Sequence, residues 1–248
     1  MNDFEKKSIN EKFLKNRLKL NKKTQKENFQ KFLNNRLKPN SKHTILDLGC
    51  GHGQTSLSII RKRKYKAIYS IDINKLFINK LKLLKKKYKK FYPLVRSMDS
   101  IKFRDEKFDL IILSYCIYYS KNYKYLLEKL IRILKKGGRI IIANPYKPHF
   151  MVNFISKIHS LNKKIYDSLN CSDSIYSFVL QKRNVTANKI FFTNETVLTK
   201  RDILDSYINS TMYNLHKIDL VKSKISGLKK RKFKFTKKTC LIEIKKKN

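Results

Sequence analysis

Gly49, Gly51 and Gly53 fall at alternate positions behind the apolar run Thr44–Leu48 and ahead of Gln54 and Thr55. The chain has six glycines, so three in so short a span single this stretch out. The apolar run reads as a short buried strand. The glycines let the backbone turn tightly and leave no side chain in front of a ligand. Gln54 and Thr55 open a helix whose first N–H groups lack intrahelical partners and point at whatever lies above the loop. Strand, glycine turn and helix start make a nucleotide-type binding loop. Asp47 stands near the end of the strand. A carboxylate there repels a pyrophosphate and suits a cationic ligand. The G-x-G-x-G spacing also departs from the G-x-G-x-x-G of dinucleotide loops.

Further candidates follow at intervals. Asp72 ends the run Ala67–Asp72, about 20 residues past the glycine loop, where an acid can reach a pair of ribose hydroxyls. Met98 and Asp99 come after a third apolar run, 91–96. The stretch 107–114, ending in Leu113-Ser114, is nearly all apolar and therefore buried on both faces. Tyr118 and Tyr119 lie beyond it, and His149 lies beyond a fifth run, 139–145. A parallel sheet binds its ligands at those strand ends, which makes these three candidates for acceptor binding, with Tyr119 and His149 the candidate catalytic pair. Core or lid packing is an equally good reading of each tyrosine. His52, inside the loop, fits a place beside the ligand better than the role of a base.

Strands alternate with helices from residue 41 to 146, so the sheet there is parallel, with helices on both faces. The helix faces are Leu57, Ile59 and Ile60; Phe77, Leu81 and Leu84, with Asn74 as cap; and Leu126, Leu127, Leu130, Ile131 and Leu134. The last of these should end at Lys135-Lys136-Gly137-Gly138, with Gly137 in the left-handed position. Residues 1–40 suggest two helices. One carries Phe4, Ile9, Phe13, Leu14 and Leu18; the other carries Phe29, Phe32, Leu33 and Leu37 and ends at Lys38-Pro39. The first either packs or covers the ligand cleft; the second packs. From 147 to 212 the alternation stops, which marks an insertion containing helices around Phe150–Ile158 and Ile203–Tyr207 and an extended piece, Asn188–Thr193. Residues 213–248 supply a last helix through Leu215, Ile218, Val221 and Ile225. A hairpin of Lys232–Phe235 and Thr239–Ile244 then closes the same domain.

The formal net charge is +41. That balance suits a polyanion such as RNA. It also suits drift in an A+T-rich coding sequence, which enriches Lys, Asn, Ile, Tyr and Phe; Ala67, Ala143 and Ala187 are the only alanines. Arginine, the preferred residue for bidentate phosphate recognition, is scarce, which favours drift. Cys50, Cys116, Cys171 and Cys240 are too widely spaced to suggest a metal site or a disulfide framework. No apolar run approaches a signal peptide or a membrane span, so a soluble cytoplasmic protein without membrane insertion is expected.

The ordered set Asp47 to Gly53, Asp72, Met98-Asp99, and Phe108-Asp109 through Leu113-Ser114 resembles class I S-adenosylmethionine-dependent methyltransferases. Met98-Asp99-Ser100-Ile101-Lys102-Phe103 and Leu134-Lys135-Lys136-Gly137-Gly138 are similar to the small-molecule group called type 11. The resemblance covers residues 41–146 and, less closely, the closing hairpin. It implies an α/β, Rossmann-like mixed sheet of seven strands with helices on both faces, a terminal antiparallel hairpin and a helical lid at 147–212. The implied cofactor, S-adenosyl-L-methionine, carries a sulfonium and an ammonium and no phosphate, as Asp47 would suit. Gly49, Cys50, Gly51 and Gly53 would admit its methionine part. Asp72 would hold the ribose, and Ile73 would belong to the cofactor site; Asp99 would accept from the adenine amino group, with Met98 on the ring. Ser114 and Tyr115 would line the cleft beside the methyl group. The reading of Asp99 as a helix cap stays open. Ser114-Tyr115-Cys116-Ile117 lacks the Asn/Asp-Pro-Pro-aromatic signature of many base-amino methyltransferases. The expected acceptor is therefore a small molecule or short peptide; RNA methylation through the lysine-rich surface is the alternative.

Overall fold

The computed structural model describes residues 10–62 and 65–248. Seven strands form one sheet in the order β3-β2-β1-β4-β5-β7-β6. They are β1 (Thr44–Leu48), β2 (Ala67–Asp72), β3 (Phe91–Val95), β4 (Phe108–Ser114), β5 (Leu134–Tyr146), β6 (Val185–Thr199) and β7 (Lys232–Lys246). The first five pair in parallel, with Leu48 beside Ile71 on one side and Leu113 on the other; β7 runs antiparallel. Ile45, Leu46, Leu48 and Leu110–Leu113 are buried, as strands covered on both faces must be. The chain order reverses at β1, whose neighbours are β2 and β4. That switch point opens a crevice at the carboxyl ends of the strands.

The chain divides into two compact units. One comprises Phe29–Asn144, Cys171–Phe191 and Cys240–Asn248. Its core packs Leu33 and Leu37 of the helix Phe29–Leu37 with Ile45, Ile60, Ile68, Phe91 and Ile112. The helix Lys75–Lys82 starts on Asn74, whose side chain accepts from Leu76 N at 2.9 Å, as expected of a cap. The other unit comprises residues up to Asn28, Pro145–Asn170 and Phe192–Thr239. In it the helix Glu11–Thr24 lies on the helix Lys200–Ile208, with Lys23 Nζ 2.7 Å from Asp202 and Asn16 2.9 Å from Asn209. Phe4 and Ile9, read as part of that first helix, lie outside the described residues.

Three elements differ from their expected form. The helix Tyr123–Ile133 ends before Lys135, and Lys135–Gly138 already belong to β5. Leu134 pairs with Phe108 and Arg139 with Leu110, so residues 135–138 bulge out of the ladder. Gly137, at φ +71°, makes the bulge in place of a helix end. Lys135 is drawn back by Asp109, whose two oxygens lie 2.9 Å from its ammonium. Lys232–Lys246 is one continuous strand rather than two arms of a hairpin, and its sheet neighbours are β5 and β6. A helix at Lys163–Leu180 was not foreseen; Ile165, Leu169, Ile175 and Val179 are its buried apolar positions, with Ser168 and Ser172 buried among them.

Truncating the fully buried Leu33 to alanine should cost about 2–5 kcal/mol in urea unfolding. Leu83→Ala, at a position 76% exposed, should stay within about 0.5 kcal/mol.

Candidate functional site

The glycine loop stands on Asp47. Its carboxylate is 2% exposed and accepts from Ser56 Oγ at 2.5 Å and Ser56 N at 3.2 Å. Ser70 Oγ lies 2.6 Å from Ser56 Oγ; with that hydroxyl's own proton on Asp47, Ser70 is the donor. Ser56 sits in the first turn of the helix Gln54–Arg61, which has no side-chain cap from its own N-cap residue, Gly53. The acid of β1 therefore satisfies a backbone donor of that turn and occupies the end where a phosphate would otherwise bind. Burial pushes the Asp47 carboxyl up to about 6, although the Ser56 hydrogen bonds pull against it; the nearby Asp72 charge adds to the rise.

Above Asp47 the loop is tightly determined. Gly49, Gly51 and Gly53 have φ of +69°, +52° and +74°, the left-handed region. Any Cβ on Gly49 would sit 2.6 Å from that of Cys116, and one on Gly53 would sit 2.7 Å from Leu81. Gly49 N and Cys50 N both donate to Ile71 O, at 2.7 and 3.0 Å. Gly51 N donates to Asp72 Oδ2 and Asn74 N to Asp72 Oδ1, each at 2.8 Å. Asp72 is thus half-buried and already oriented, with lone pairs left on both oxygens. Burial raises its carboxyl, and the amides of Asn74 and Gly51 oppose the rise. Ile73 beside it is 55% exposed, an apolar face at the strand end. Burial also raises the Cys50 thiol well above its ordinary range, so it is no nucleophile.

The expected residues of the next strands assemble nearby. Met98 Cε lies 3.7 Å from where a Cβ on Gly49 would be. Asp99 is not the cap of its short helical turn; Ser97 is, accepting from Asp99 N at 3.2 Å. The Asp99 carboxylate instead accepts from Ser120 Oγ and from Lys121 N, which ties the turn after β3 to the turn after β4. Ser114 ends β4, and Tyr115 follows at φ +56°, with its N–H on Ala143 O at 2.7 Å and its ring edge-on to Phe29. A bulky residue held in the left-handed region is strained and over-determined by its surroundings, a mark of functional sites. The rings of Tyr118 and Tyr119 lie 4.6 Å apart on the turn Ile117–Tyr119.

His149 lies in the other unit. It caps the helix Phe150–Ser156, its Nδ1 accepting from Val152 N at 3.3 Å. Burial lowers its pKa to about 4, with Lys237 adding to the drop. The ring is neutral, its proton is on Nε2 and its lone pair is spent, so as it stands it donates rather than acts as a base. Ser56 bonds to Asp47, Ser70 to Ser56, Cys116 to Leu48 and Ser120 to Asp99, and none of these four was among the sequence candidates. Ser56, in the first turn after the loop, was the one with a local signal. Among the described residues no cluster of His, Cys, Asp or Glu could hold a metal ion.

Residues 39–190, more than half the chain, match a family model described as a methyltransferase domain. A putative methyltransferase of Methanocaldococcus jannaschii is 32% identical over 130 residues, 50% of this chain and 49% of that protein. An uncharacterized methyltransferase of Schizosaccharomyces pombe is 31% identical over 99 residues, 40% of this chain and 38% of that protein. The chain thus spans about half the length, or less, of these curated relatives. A solved putative methyltransferase of Bacillus halodurans aligns with a TM-score of 0.65 over 89% of this chain and 99% of its own, at 14% identity, a likeness of fold.

Because Asp47 is raised in the folded chain above an unfolded value near 4, the fold holds this proton more tightly than the unfolded chain does. Its stabilising contribution is present in full below about pH 4 and is lost as the pH rises through about 6. Urea titrations should show the protein gaining about 1 kcal/mol relative to Asp47→Asn between pH 7 and pH 5. Parallel pH profiles would refute this account of the carboxylate.

Proposed function

This chain belongs to the methyltransferase-domain family, and we propose that it moves a methyl group from S-adenosyl-L-methionine to an oxygen or nitrogen of a small-molecule or short-peptide acceptor. S-adenosylmethionine is the cofactor of this family, and it supplies an electrophilic methyl group already activated on a sulfonium. The observation that carries the reading is the pair of acids around the glycine loop. Asp47 closes the helix end against a phosphate, and Asp72 keeps acceptor capacity at the end of β2. Both are fitted to a ligand that is cationic and carries a ribose diol. In this reading Gly49–Gly53 admit the methionine part, Asp72 takes the ribose hydroxyls and Ile73 and Met98 take the adenine faces. Asp99, steadied by Ser120 and Lys121, presents its remaining lone pairs to the adenine amino group. Asp47 acts from below, orienting the loop and adding negative potential.

The protein's work is then alignment of the acceptor, since an in-line displacement gains most from positioning. Ser114, Tyr115 and Tyr119 are the residues we assign to it. A base is needed only where the acceptor must shed a proton.

Most of the support for an enclosed acceptor over RNA comes from three packed rings, although Phe191 and Tyr166 are 43% and 39% exposed. Tyr207 is fully buried and bonded to His159, Phe192 is 7% exposed, and Phe150 is stacked on Phe235 at 4.3 Å. Stacking platforms for bases need open ring faces, and these rings are spent on packing. The charge of +41 remains the argument for the RNA reading.

Calorimetry should detect S-adenosylmethionine binding in the micromolar range, abolished by Gly51→Arg. Asp72→Ala should weaken it at least tenfold, in line with loss of hydrogen bonds to a charged group worth about 1.5–3 kcal/mol each, while circular dichroism stays unchanged. Binding of NAD with none of S-adenosylmethionine would overturn the reading. Acceptor affinity should respond weakly to salt. A log–log slope of roughly −0.7 per neutralised phosphate on single-stranded RNA, with saturable methylation at one nucleotide, would move the assignment to RNA.

A further inference from the structure

Among the described residues, no carboxylate pairs with Lys237. Burial lowers its ammonium to about 8, and the Arg17 guanidinium pushes the same way. Its hydrogen-bond partner is Asn21 Oδ1, at 3.2 Å. Two of its three donors have no acceptor among the described protein groups. The last turn of the helix Glu11–Thr24, which carries Asn21, offers partial negative charge but does not complete the set. Lys237 is half-buried, and an ammonium held there with so few protein partners is costly.

The same side chain lines a cavity of about 60 Å³ within the unit that contains residues up to Asn28, Pro145–Asn170 and Phe192–Thr239. Asn21, Thr24, Gln25, His149 and Thr196 line it too. Thr196 is 4% exposed, and its Oγ1 has no hydrogen-bond partner. Asn21 Oδ1 accepts from both Lys237 and Gln25, so its amide is oriented with Nδ2 left as a donor. Thr24 Oγ1 is spent on Leu20 O at 2.9 Å. The free side-chain capacity includes an ammonium, an amide N–H and the Thr196 hydroxyl; Ser206 and Thr236 add hydroxyls that donate or accept, and no carboxylate lines the cavity. At roughly 10–15 Å³ per water, the space of about 60 Å³ holds about four to six water-sized groups, the size of a carboxylate or a phosphate and too small for a nucleobase.

We propose that this cavity binds a small oxyanion, a carboxylate or phosphate group, with Lys237 as its charge partner and Asn21 and Thr196 as hydrogen-bond donors. The inference does not depend on the methyl-transfer reading, and its test does not use S-adenosylmethionine. The anion supplies the missing acceptors and returns Lys237 to full protonation at neutral pH. Binding therefore takes up protons on the alkaline side of about pH 8.

The experiment titrates the full chain, dialysed into chloride buffer at fixed ionic strength, with inorganic phosphate and separately with acetate. One saturable site is expected, at least tenfold weaker in Lys237→Met and several-fold weaker in Thr196→Val, and unaffected by Lys232→Met on the exposed start of β7. Tighter binding of phosphate than of acetate would name a phosphate group, and the reverse a carboxylate. In the absence of either ion, Lys237→Met should melt at the same temperature or higher, since it removes an uncompensated charge. Absence of a saturable site, equal binding in Lys237→Met, or a large destabilisation of ion-free Lys237→Met would each overturn the proposal.

Discussion

A carboxylate and a serine hold the strand-end crevice of this protein together in one buried contact: Asp47 near the end of β1 receives both donors of Ser56. Everything at the mouth of the crevice is referred to it. The contact sets the angle at which the helix Gln54–Arg61 leaves the strand, and so the path left to residues 49–53. Those residues then have no option but positive φ at three glycines. Their amides are turned toward Ile71 and Asp72, which in turn orients the acid that ends β2. One buried ion near the switch point thus propagates through a chain of short hydrogen bonds. Its cost is visible in the raised pKa.

The opposite wall of the crevice is held by close packing. Cys116 sits where any side chain on Gly49 would go, and its thiol donates to Leu48 O at 3.0 Å. For the thiol to reach that carbonyl, the chain leaving β4 bends sharply at Tyr115, which adopts a conformation that glycine would take more cheaply. The strained residue and the glycine loop are two sides of the same close approach. Strain of this kind persists only where neighbouring contacts over-determine it, here the Ala143 carbonyl and the Phe29 ring.

The extreme basicity looks different once partners are known. Lys107 lies over the rings of Tyr69, Phe103 and Phe108 at 4.0, 4.5 and 5.5 Å, and Lys135 completes the β5 bulge through Asp109. Such lysines serve the fold, through their stems and through aromatic faces. They contribute to the net charge without forming a phosphate-reading surface. Lys237 differs from these two, held against a polar cavity with Asn21 as its hydrogen-bond partner.

The parallel half of the sheet and the glycine loop were legible in the sequence because both are local. Strand periodicity, the cap at Asn74 and the demand of positive φ for glycine act within a few residues. The acids Asp47, Asp72 and Asp99 could be placed at strand ends for the same reason. Their partners could not be. Whether Asp47 faces a ligand or Ser56, and whether Asp99 caps its own turn or reaches Ser120, depends on residues 9 and 21 positions away. The β5 bulge was hidden because Gly137 suits a helix end and a bulge equally; only pairing with β4 distinguishes them. The helix Lys163–Leu180 was missed because buried serines interrupt its apolar stripe, and those serines are tolerated only where the fold supplies partners, as Asn144 does for Ser172 at 3.2 Å. His149 reads as a candidate catalytic residue in sequence, but Val152 N–H and burial take its lone pair and its charge. Residue type and spacing thus determined which groups reach the strand ends. Tertiary structure decided what each is bonded to, because desolvation and hydrogen-bond partners are set by contacts between distant segments that local periodicity does not encode.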